Sequence, residues 1–163
     1  MIPFDPLLVV LGAPAVAAAL LAIVPGYRIS AWLNVLASLT TVAAAGLLFV
    51  TPPREGAYFL LDELNIVFIA LNAFVGFTTS VFSATYIGHE LEIGRLTPTF
   101  LRFYHAMFQI LMFAMNLALV ANNIGLMWVA IELATLTTVL MVGIYRTHEA
   151  LEAAWKYFIL GSV

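Results

Sequence analysis

Long runs of apolar residues constrain this chain more than any other feature of its sequence. Hydrophobic residues fill 64% of its 163 positions, and charged residues fill only 9%. A water-soluble domain has roughly a quarter of its residues charged. A run of about 20 apolar residues is long enough to cross a lipid bilayer as a helix, and such runs account for most of this chain. The sequence therefore predicts an all-α, polytopic transmembrane helix bundle.

Short polar or helix-breaking stretches divide the apolar sequence into six segments. Proline and glycine interrupt it at 25–28 and again at 51–56, where they favour turns. The longest polar stretch, 88–103, is predicted to be a loop, and Asn122-Asn123 a tight turn. We expect a single transmembrane domain, 1–163, with five complete helices and part of a sixth, near 6–24, 30–50, 64–86, 104–121, 123–145 and 149–163.

The arginines predict the orientation of these helices. With the N-terminus outside, the outer loops hold only Arg54, and the inner loops hold Arg28, Arg95, Arg102 and Arg146. Basic residues are enriched in loops on the inner side of a membrane. We therefore expect the N-terminus outside, in a multi-pass protein of the inner (plasma) membrane.

The sixth segment is too short to cross a bilayer. It runs from Glu149 to Val163, which gives about 22 Å of helix at 1.5 Å per residue, whereas the hydrocarbon core is about 30 Å thick. Backbone carbonyls that end inside lipid would have no hydrogen-bond partners. We therefore expect this sequence to be the N-terminal portion of a longer subunit.

The composition also excludes several kinds of site. The sequence has no cysteine, so it cannot form disulfides or hold an iron–sulfur cluster through thiolates. Its three histidines show no metal-ligand spacing, and its net charge of −3 gives no basic surface for nucleic acid. We expect no cofactor or metal in this chain, and redox groups would belong to partner subunits.

Glu132 is the strongest candidate for a functional residue, because it lies near the middle of the fifth predicted helix. A carboxyl group at that depth is costly unless it finds partners or water, so it is rarely accidental. Trp128 and Thr135 share its helical face. The hypothesis is that Glu132 takes up and releases a proton, and the alternative is a structural hydrogen bond to a neighbouring helix.

Lys156 and His105 are weaker candidates. Glu152 lies four residues before Lys156, an ordinary helix-stabilising spacing, and the lysine could also extend to the inner surface. A role in proton relay is an equal alternative on spacing alone. His105, expected at the inner end of the fourth helix, could pass protons near neutral pH, although a histidine at the membrane interface often has no such role.

Other polar residues are expected to support packing. Asp62 and Glu63, at the start of the third predicted helix, complement the helix dipole. Small and weakly polar residues in this helix recur at spacings of three, four and seven, which suits close contact with another helix. They are Asn65, Asn72, Gly76, Thr79 and Ser83.

Several motifs resemble those of the antiporter-like membrane subunits of respiratory complex I and of group 4 membrane-bound hydrogenases. They include NNIGLMWVAIE at 122–132, GIYR at 143–146 and LEAAWKY at 151–157, with YIGHE at 86–90 and GRLTP at 94–98. The resemblance is strongest to component F of hydrogenase-four-type, formate hydrogenlyase-related complexes. It covers about residues 60–163 by motif and the first 60 mainly by hydropathy.

This resemblance implies about fourteen transmembrane helices with two inverted five-helix repeats, each forming half of a proton pathway. Glu132 falls on the glutamate of the family's fifth helix, and Lys156 on a lysine often found in its sixth. The lysine that pairs with the glutamate lies on the seventh helix, beyond this sequence. The resemblance also implies that iron–sulfur, nickel–iron or flavin groups lie in partner subunits.

The leading hypothesis is a proton-translocating subunit of a respiratory oxidoreductase complex, of the NADH:quinone oxidoreductase or nickel–iron hydrogenase and formate hydrogenlyase type. It would have no catalytic centre of its own. Its partners would be other membrane subunits, a soluble redox arm and the lipid bilayer. One alternative is a sodium/proton antiporter subunit of the multi-subunit type. Another is a non-conducting anchor that docks a soluble redox arm through the 88–103 loop.

Overall fold

Helices make up most of the computed structural model, which describes residues 5–162. Five of them are long and apolar enough to cross a membrane, which confirms the predicted all-α transmembrane bundle. A turn of 3-10 helix, Gly143–Tyr145, joins the last two helices. The helices are α1 (Pro6–Ile23), α2 (Tyr27–Leu48), α3 (Glu63–Glu92), α4 (Pro98–Val120), α5 (Ile124–Val142) and α6 (His148–Ser162).

The loop predicted over 88–103 is wrong. Helix α3 continues to Glu92 and α4 begins at Pro98, so only 93–97 remain as a turn. Gly94 turns the chain there with a φ of 75°, and the Thr97 side chain accepts a hydrogen bond from the backbone N–H of Phe100 at 3.5 Å. Of the charged residues in this stretch, Glu90, Glu92 and Arg102 lie within the two helices, and Arg95 lies in the turn between them. The docking loop of the anchor hypothesis is therefore much smaller than expected.

A short β-hairpin that the sequence did not predict lies between α2 and α3. Strand β1 (Arg54–Glu55) pairs antiparallel with β2 (Leu60–Leu61), and the Gly56 N–H donates to the Phe59 carbonyl at 2.9 Å. Each strand has two residues, which is too short for an alternating pattern to be recognised. The prolines at 52 and 53 favoured a loop in the prediction.

Polar contacts join this hairpin to two other parts of the bundle. Asn122 donates from its side chain to the Gly56 carbonyl at 2.7 Å and from its backbone N–H to the Tyr58 carbonyl at 2.8 Å. Arg54 forms an ion pair with Asp5, the N-cap of α1, at 2.7 Å. The hairpin thus ties the start of α1 to the α4–α5 turn. We call this side of the bundle the hairpin end, and the side with 24–26, 93–97 and 143–147 the opposite end.

The start of α3 agrees with the prediction for its acidic pair. The Asp62 side chain accepts a hydrogen bond from the Asn65 backbone N–H at 2.8 Å, and Asn65 Oδ1 accepts one from the Asp62 N–H at 2.8 Å. This reciprocal arrangement satisfies two backbone donors that a helix start leaves free. Glu63 lies in the first turn, where a negative charge complements the helix dipole. Which side of the membrane the hairpin end faces stays a prediction from the arginines.

Helix α4 lies at the centre of the bundle and packs against α1, α2, α3 and α5, whereas α6 packs against α5. Part of the polar face predicted on α3 is used for packing, whereas Thr79 is exposed. Asn72 donates to the side-chain oxygen of Asn116 on α4 at 2.8 Å, and Gly76 faces Met112 so closely that a methyl group there would overlap it. Helix α5 lies at the edge of the bundle, since only 22% of its hydrophobic segment is buried, against 44% for α4. Helix α6, which packs against α5, lies at the same edge.

Gly88 allows α2 and α3 to approach each other at the opposite end. A methyl group on Gly88 would overlap the hydroxyl and ring of Tyr27. Tyr27 is thereby held where its hydroxyl donates to the Ala84 carbonyl at 2.6 Å. The close contact and the hydrogen bond both depend on the missing side chain at 88.

We predict that Gly88→Ala destabilises the protein by about 1–3 kcal/mol, the usual effect of overpacking. The substitution must displace Tyr27 and break its hydrogen bond. Thermal unfolding of the purified membrane protein measures the loss. Gly46→Ala is the matched control, since a methyl group there meets nothing within 4 Å.

The same measurement on Tyr27→Ala and on the double variant tests whether the two residues interact. Because the clash disappears with the tyrosine, the double variant should lose less than the sum of the two single losses. Additive losses would contradict the proposed contact.

Candidate functional site

Glu132 lies in the middle of α5, between Ile124 and Val142, and is partly exposed on the helix. Its Oε1 accepts a hydrogen bond from the Ser162 hydroxyl, 3.2 Å away. Ser162 is the last residue of α6, so the contact joins two neighbouring antiparallel helices near mid-membrane depth. A neutral hydroxyl can stabilise a carboxyl group there without fixing its charge.

Small residues bring α6 close enough to α5 for this contact. A Cβ atom on Gly161 would lie 2.9 Å from Thr135 Cγ2, and one on Gly143 would lie 3.7 Å from Ala154 Cβ. Small residues let helix backbones approach closely in membranes. Thr135 donates its hydroxyl hydrogen to the Ile131 carbonyl at 3.1 Å, so its oxygen can still accept a hydrogen bond.

The structure does not bring the two predicted site residues, Lys156 and Glu132, into contact. Lys156 pairs with Glu152 at 2.5 Å, and the two side chains are 67% and 52% exposed. Since Lys156 is six residues before Ser162, it lies about 9 Å along α6 from the level of Glu132. None of the ion pairs found within residues 5–162 joins the lysine to the glutamate.

A cavity of about 630 Å³ lies between α3, α4, α5 and α6, on the side of α5 that carries Thr135. Most of its lining is apolar, from residues such as Leu71, Val75 and Met115. Hydroxyl and amide groups also reach it. They belong to Asn72, Thr135, Thr138 and Tyr157.

His105, the third predicted residue, lies deeper than expected. Because α4 begins at Pro98, His105 is two turns inside the helix, and it is 0% exposed. Its ring packs edge-on against Tyr104, with 5.4 Å between centroids. The sequence predicted a helix start at 104, whereas α4 begins at Pro98, and His105 lies inside the bundle rather than on its surface.

Sequence reasoning missed two groups of buried polar residues. Gln109 on α4 contacts Asn34 and Ser38 on α2 inside the bundle, and their spacing of four residues on α2 could have identified them. Glu90, near the end of α3, is 4% exposed and lies 3.6 Å from Arg95. The sequence analysis placed Glu90 in the predicted 88–103 loop, so its burial was not expected. No cluster of three metal-ligating side chains occurs within residues 5–162.

Comparison with known proteins identifies relatives of this chain. It is 63% identical over 151 residues to a hydrogenase-4 component F homolog of Methylacidiphilum infernorum (isolate V4), a match that covers 92% of this chain. It is 40% identical over 53 residues to NADH-quinone oxidoreductase subunit N 2 of Thermodesulfovibrio yellowstonii. That second match covers 32% of this chain and 12% of the relative. No protein-family model matches the sequence.

The chain spans about a third of the first relative, 32% of its length. The long match confirms the resemblance found from the motifs.

We predict that cysteines placed at 135 and 161 form a disulfide in the native membrane. The chain has no cysteine of its own, and a Cβ atom at 161 would lie 2.9 Å from Thr135 Cγ2, the position that the sulfur of a cysteine at 135 can occupy. The two sulfurs can therefore reach the bonding distance of about 2 Å. Mild oxidation followed by mass spectrometry of the linked peptides measures the bond.

The matched control pairs Gly161→Cys with Leu136→Cys, because Leu136 lies on the exposed side of α5. Efficient linkage should occur only with position 135. Equal linkage of both pairs, or linkage of neither, would contradict the α5–α6 contact that places Ser162 beside Glu132.

Proposed function

This chain belongs to the antiporter-like membrane subunits of the complex I and group 4 hydrogenase family, and we propose that it moves protons across the membrane through Glu132. We infer from its relatives that it is a subunit of a membrane-bound respiratory complex. The observation that supports proton movement is the position of Glu132, which lies at mid-membrane depth with a neutral hydrogen-bond donor, Ser162, at 3.2 Å.

The environment of Glu132 suits a group that changes its charge. A carboxylate in a membrane is stable only with partners or water, and a single hydroxyl compensates it weakly. The remaining stabilisation would come from a basic group on a helix outside these six, as the family resemblance implies for the seventh helix. Glu132 would be ionised while this base is charged and close, and would take up a proton when the base moves away or loses its charge.

Lys156 would be the second proton-binding residue in this proposal. The distance of about 9 Å along α6 is too long for direct transfer from Glu132. Hydroxyl groups of Thr135 and Thr138, which follow Glu132 on α5, and of Tyr157, which follows Lys156 on α6, line the cavity. Both threonines donate to backbone carbonyls of their own helix, which leaves their oxygens free to accept hydrogen bonds from water. Water in this cavity would complete the connection.

The partners of the chain are part of the same proposal. Its relatives are a hydrogenase-4 component and a subunit of an NADH-quinone oxidoreductase. We infer that further membrane subunits cover the exposed apolar surfaces of α5 and α6, and that a soluble redox arm supplies the energy. The expected location is the plasma membrane, with all redox cofactors in partner subunits.

We predict that Glu132→Gln lowers proton pumping at least about tenfold, because proton-transfer groups commonly contribute that much or more to rate. Pumping is measured as acidification of sealed vesicles that contain the complete complex, with electron transfer recorded in parallel. The control is Glu55→Gln, which removes an exposed carboxylate in the hairpin. Unchanged pumping by Glu132→Gln would contradict the proposal, and loss of assembly would favour a structural anchor.

Repeating the same assay with and without sodium shows whether the transported ion is a proton or sodium. Proton movement that persists without sodium supports the proposal. A strict sodium requirement in the absence of electron transfer would favour an antiporter instead.

A second prediction separates relay from structural pairing at Lys156. If the lysine only stabilises α6 through Glu152, then Lys156→Gln and Glu152→Gln should have equal, small effects, since such pairs contribute about 0.2–0.5 kcal/mol. We expect instead that Lys156→Gln lowers pumping severalfold and that Glu152→Gln leaves most of it. Equal effects of the two variants on the vesicle assay would assign Lys156 a structural role.

A further inference from the structure

Buried polar side chains line the contact between α2 and α4, away from Glu132. They recur every four residues on both helices and are between 0% and 3% exposed. The two helices run in the same direction, because α3 reverses the chain between them. We call these residues the α2–α4 seam. They are Ser30, Asn34 and Ser38 on α2 and His105 and Gln109 on α4.

Gln109 sets the register of the seam. Its Nε2 lies 2.8 Å from Asn34 Oδ1, 3.0 Å from Ser38 Oγ and 3.2 Å from the Asn34 backbone carbonyl. His105 lies one turn before Gln109, and Ser30 lies one turn before Asn34. Because the helices are parallel, His105 and Ser30 occupy the next level toward the opposite end.

Several atoms of the seam have no hydrogen-bond partner within residues 5–162. They include donors as well as acceptors: Asn34 Nδ2, Gln109 Oε1, Ser30 Oγ and both ring nitrogens of His105. The side-chain amides of Asn34 and Gln109 can each be rotated by 180°, which interchanges their nitrogen and oxygen atoms. If both are rotated, Asn34 becomes the donor and Gln109 the acceptor in their mutual hydrogen bond. One amide donor and one amide acceptor would still have no partner.

Such a concentration of buried, unpaired polar groups is not stable in a dry interior. Each one loses its hydrogen bonds to water on burial and regains none. Buried water resolves this, since one molecule makes about three hydrogen bonds to polar groups that lack partners. We propose that the α2–α4 seam binds a small cluster of water molecules, hydrogen-bonded to His105, Ser30, Asn34 and Gln109.

The chemistry of the seam favours water over a metal cation. A cation requires oxygen or neutral nitrogen ligands with a free lone pair, whereas the unpaired atoms here include the amide nitrogen of Asn34, which only donates. Water both donates and accepts, and therefore fits a mixed set. No carboxylate belongs to the seam to balance a cation's charge.

On α4, the polar residues of the seam end at Gln109. The next buried residue on this face of α4 is Met112, whose thioether packs on Gly76 of α3. Beyond it, Asn116 pairs with Asn72. Polar groups on this face are thus interrupted by an apolar side chain about one turn above Gln109.

Radiolytic labelling of the assembled native complex tests the proposal. X-ray pulses generate hydroxyl radicals from bound water, which oxidise the nearest susceptible side chains. His105 and Met112 should be oxidised faster than Met107, which is partly exposed and lies on the other face of α4 from His105 and Gln109. A radical scavenger in the bulk solution should not suppress this labelling. Labelling of His105 and Met112 no faster than that of Met107 would overturn the proposal.

A variant pair links the labelling to the seam. Removing both amides in Asn34→Leu/Gln109→Leu should expel the water and lower oxidation of His105 and Met112 severalfold. Thr40→Val is the matched control, because Thr40 is exposed on α2 and donates only to its own helix, at Leu36, 2.8 Å away. Equal oxidation in the double variant would place the water elsewhere. The comparison within the unmodified complex decides the proposal if the double variant does not assemble.

Discussion

The inability of lipid to form hydrogen bonds determines how this chain is arranged. Each polar group at membrane depth must find its partner within the protein or in bound water. Helices satisfy the backbone, and several hydroxyls donate back to their own helix, as Thr41 does to Ala37 at 3.0 Å and Thr137 to Leu133 at 2.8 Å. Side chains that cannot do so lie on inner faces, where Asn72 meets Asn116 and Gln109 meets Asn34.

The same constraint explains which parts of the fold could be predicted. Hydropathy located α1, α2 and α5 to within a few residues, because lipid requires long apolar runs. It failed at 88–103, where α3 and α4 extend beyond the apolar region and charged residues continue both helices. It also failed for the hairpin at 54–61. There the fold depends on contacts with distant residues, Asn122 and Asp5, which no local pattern contains.

The candidate site was partly predictable for a related reason. Glu132 could be identified from depth alone, and the Glu152–Lys156 pair from spacing. The hydroxyl partner Ser162 could not, because it depends on how closely α6 approaches α5 at Gly161 and Thr135. The buried position of His105 was missed because one wrong helix boundary placed it at the surface. The sequence thus predicts which residue types lie at which depth along a helix. Hydrogen-bond partners on a neighbouring helix can be identified only once the packing of the helices is known.

The two parts of the chain meet the constraint of the membrane in different ways. In α1 to α4, the buried amide side chains of Asn34, Gln109 and Asn116 turn inward, and the charged residues lie near the helix ends or in the turns. Helices α5 and α6 instead carry Glu132 and Lys156 within their length, with partners that are few or exposed. A carboxyl group so weakly compensated cannot belong to a surface bathed in lipid. In the proposed function, α1 to α4 would support α5 and α6, and the weakly compensated face of α5 and α6 would be the place where charge changes.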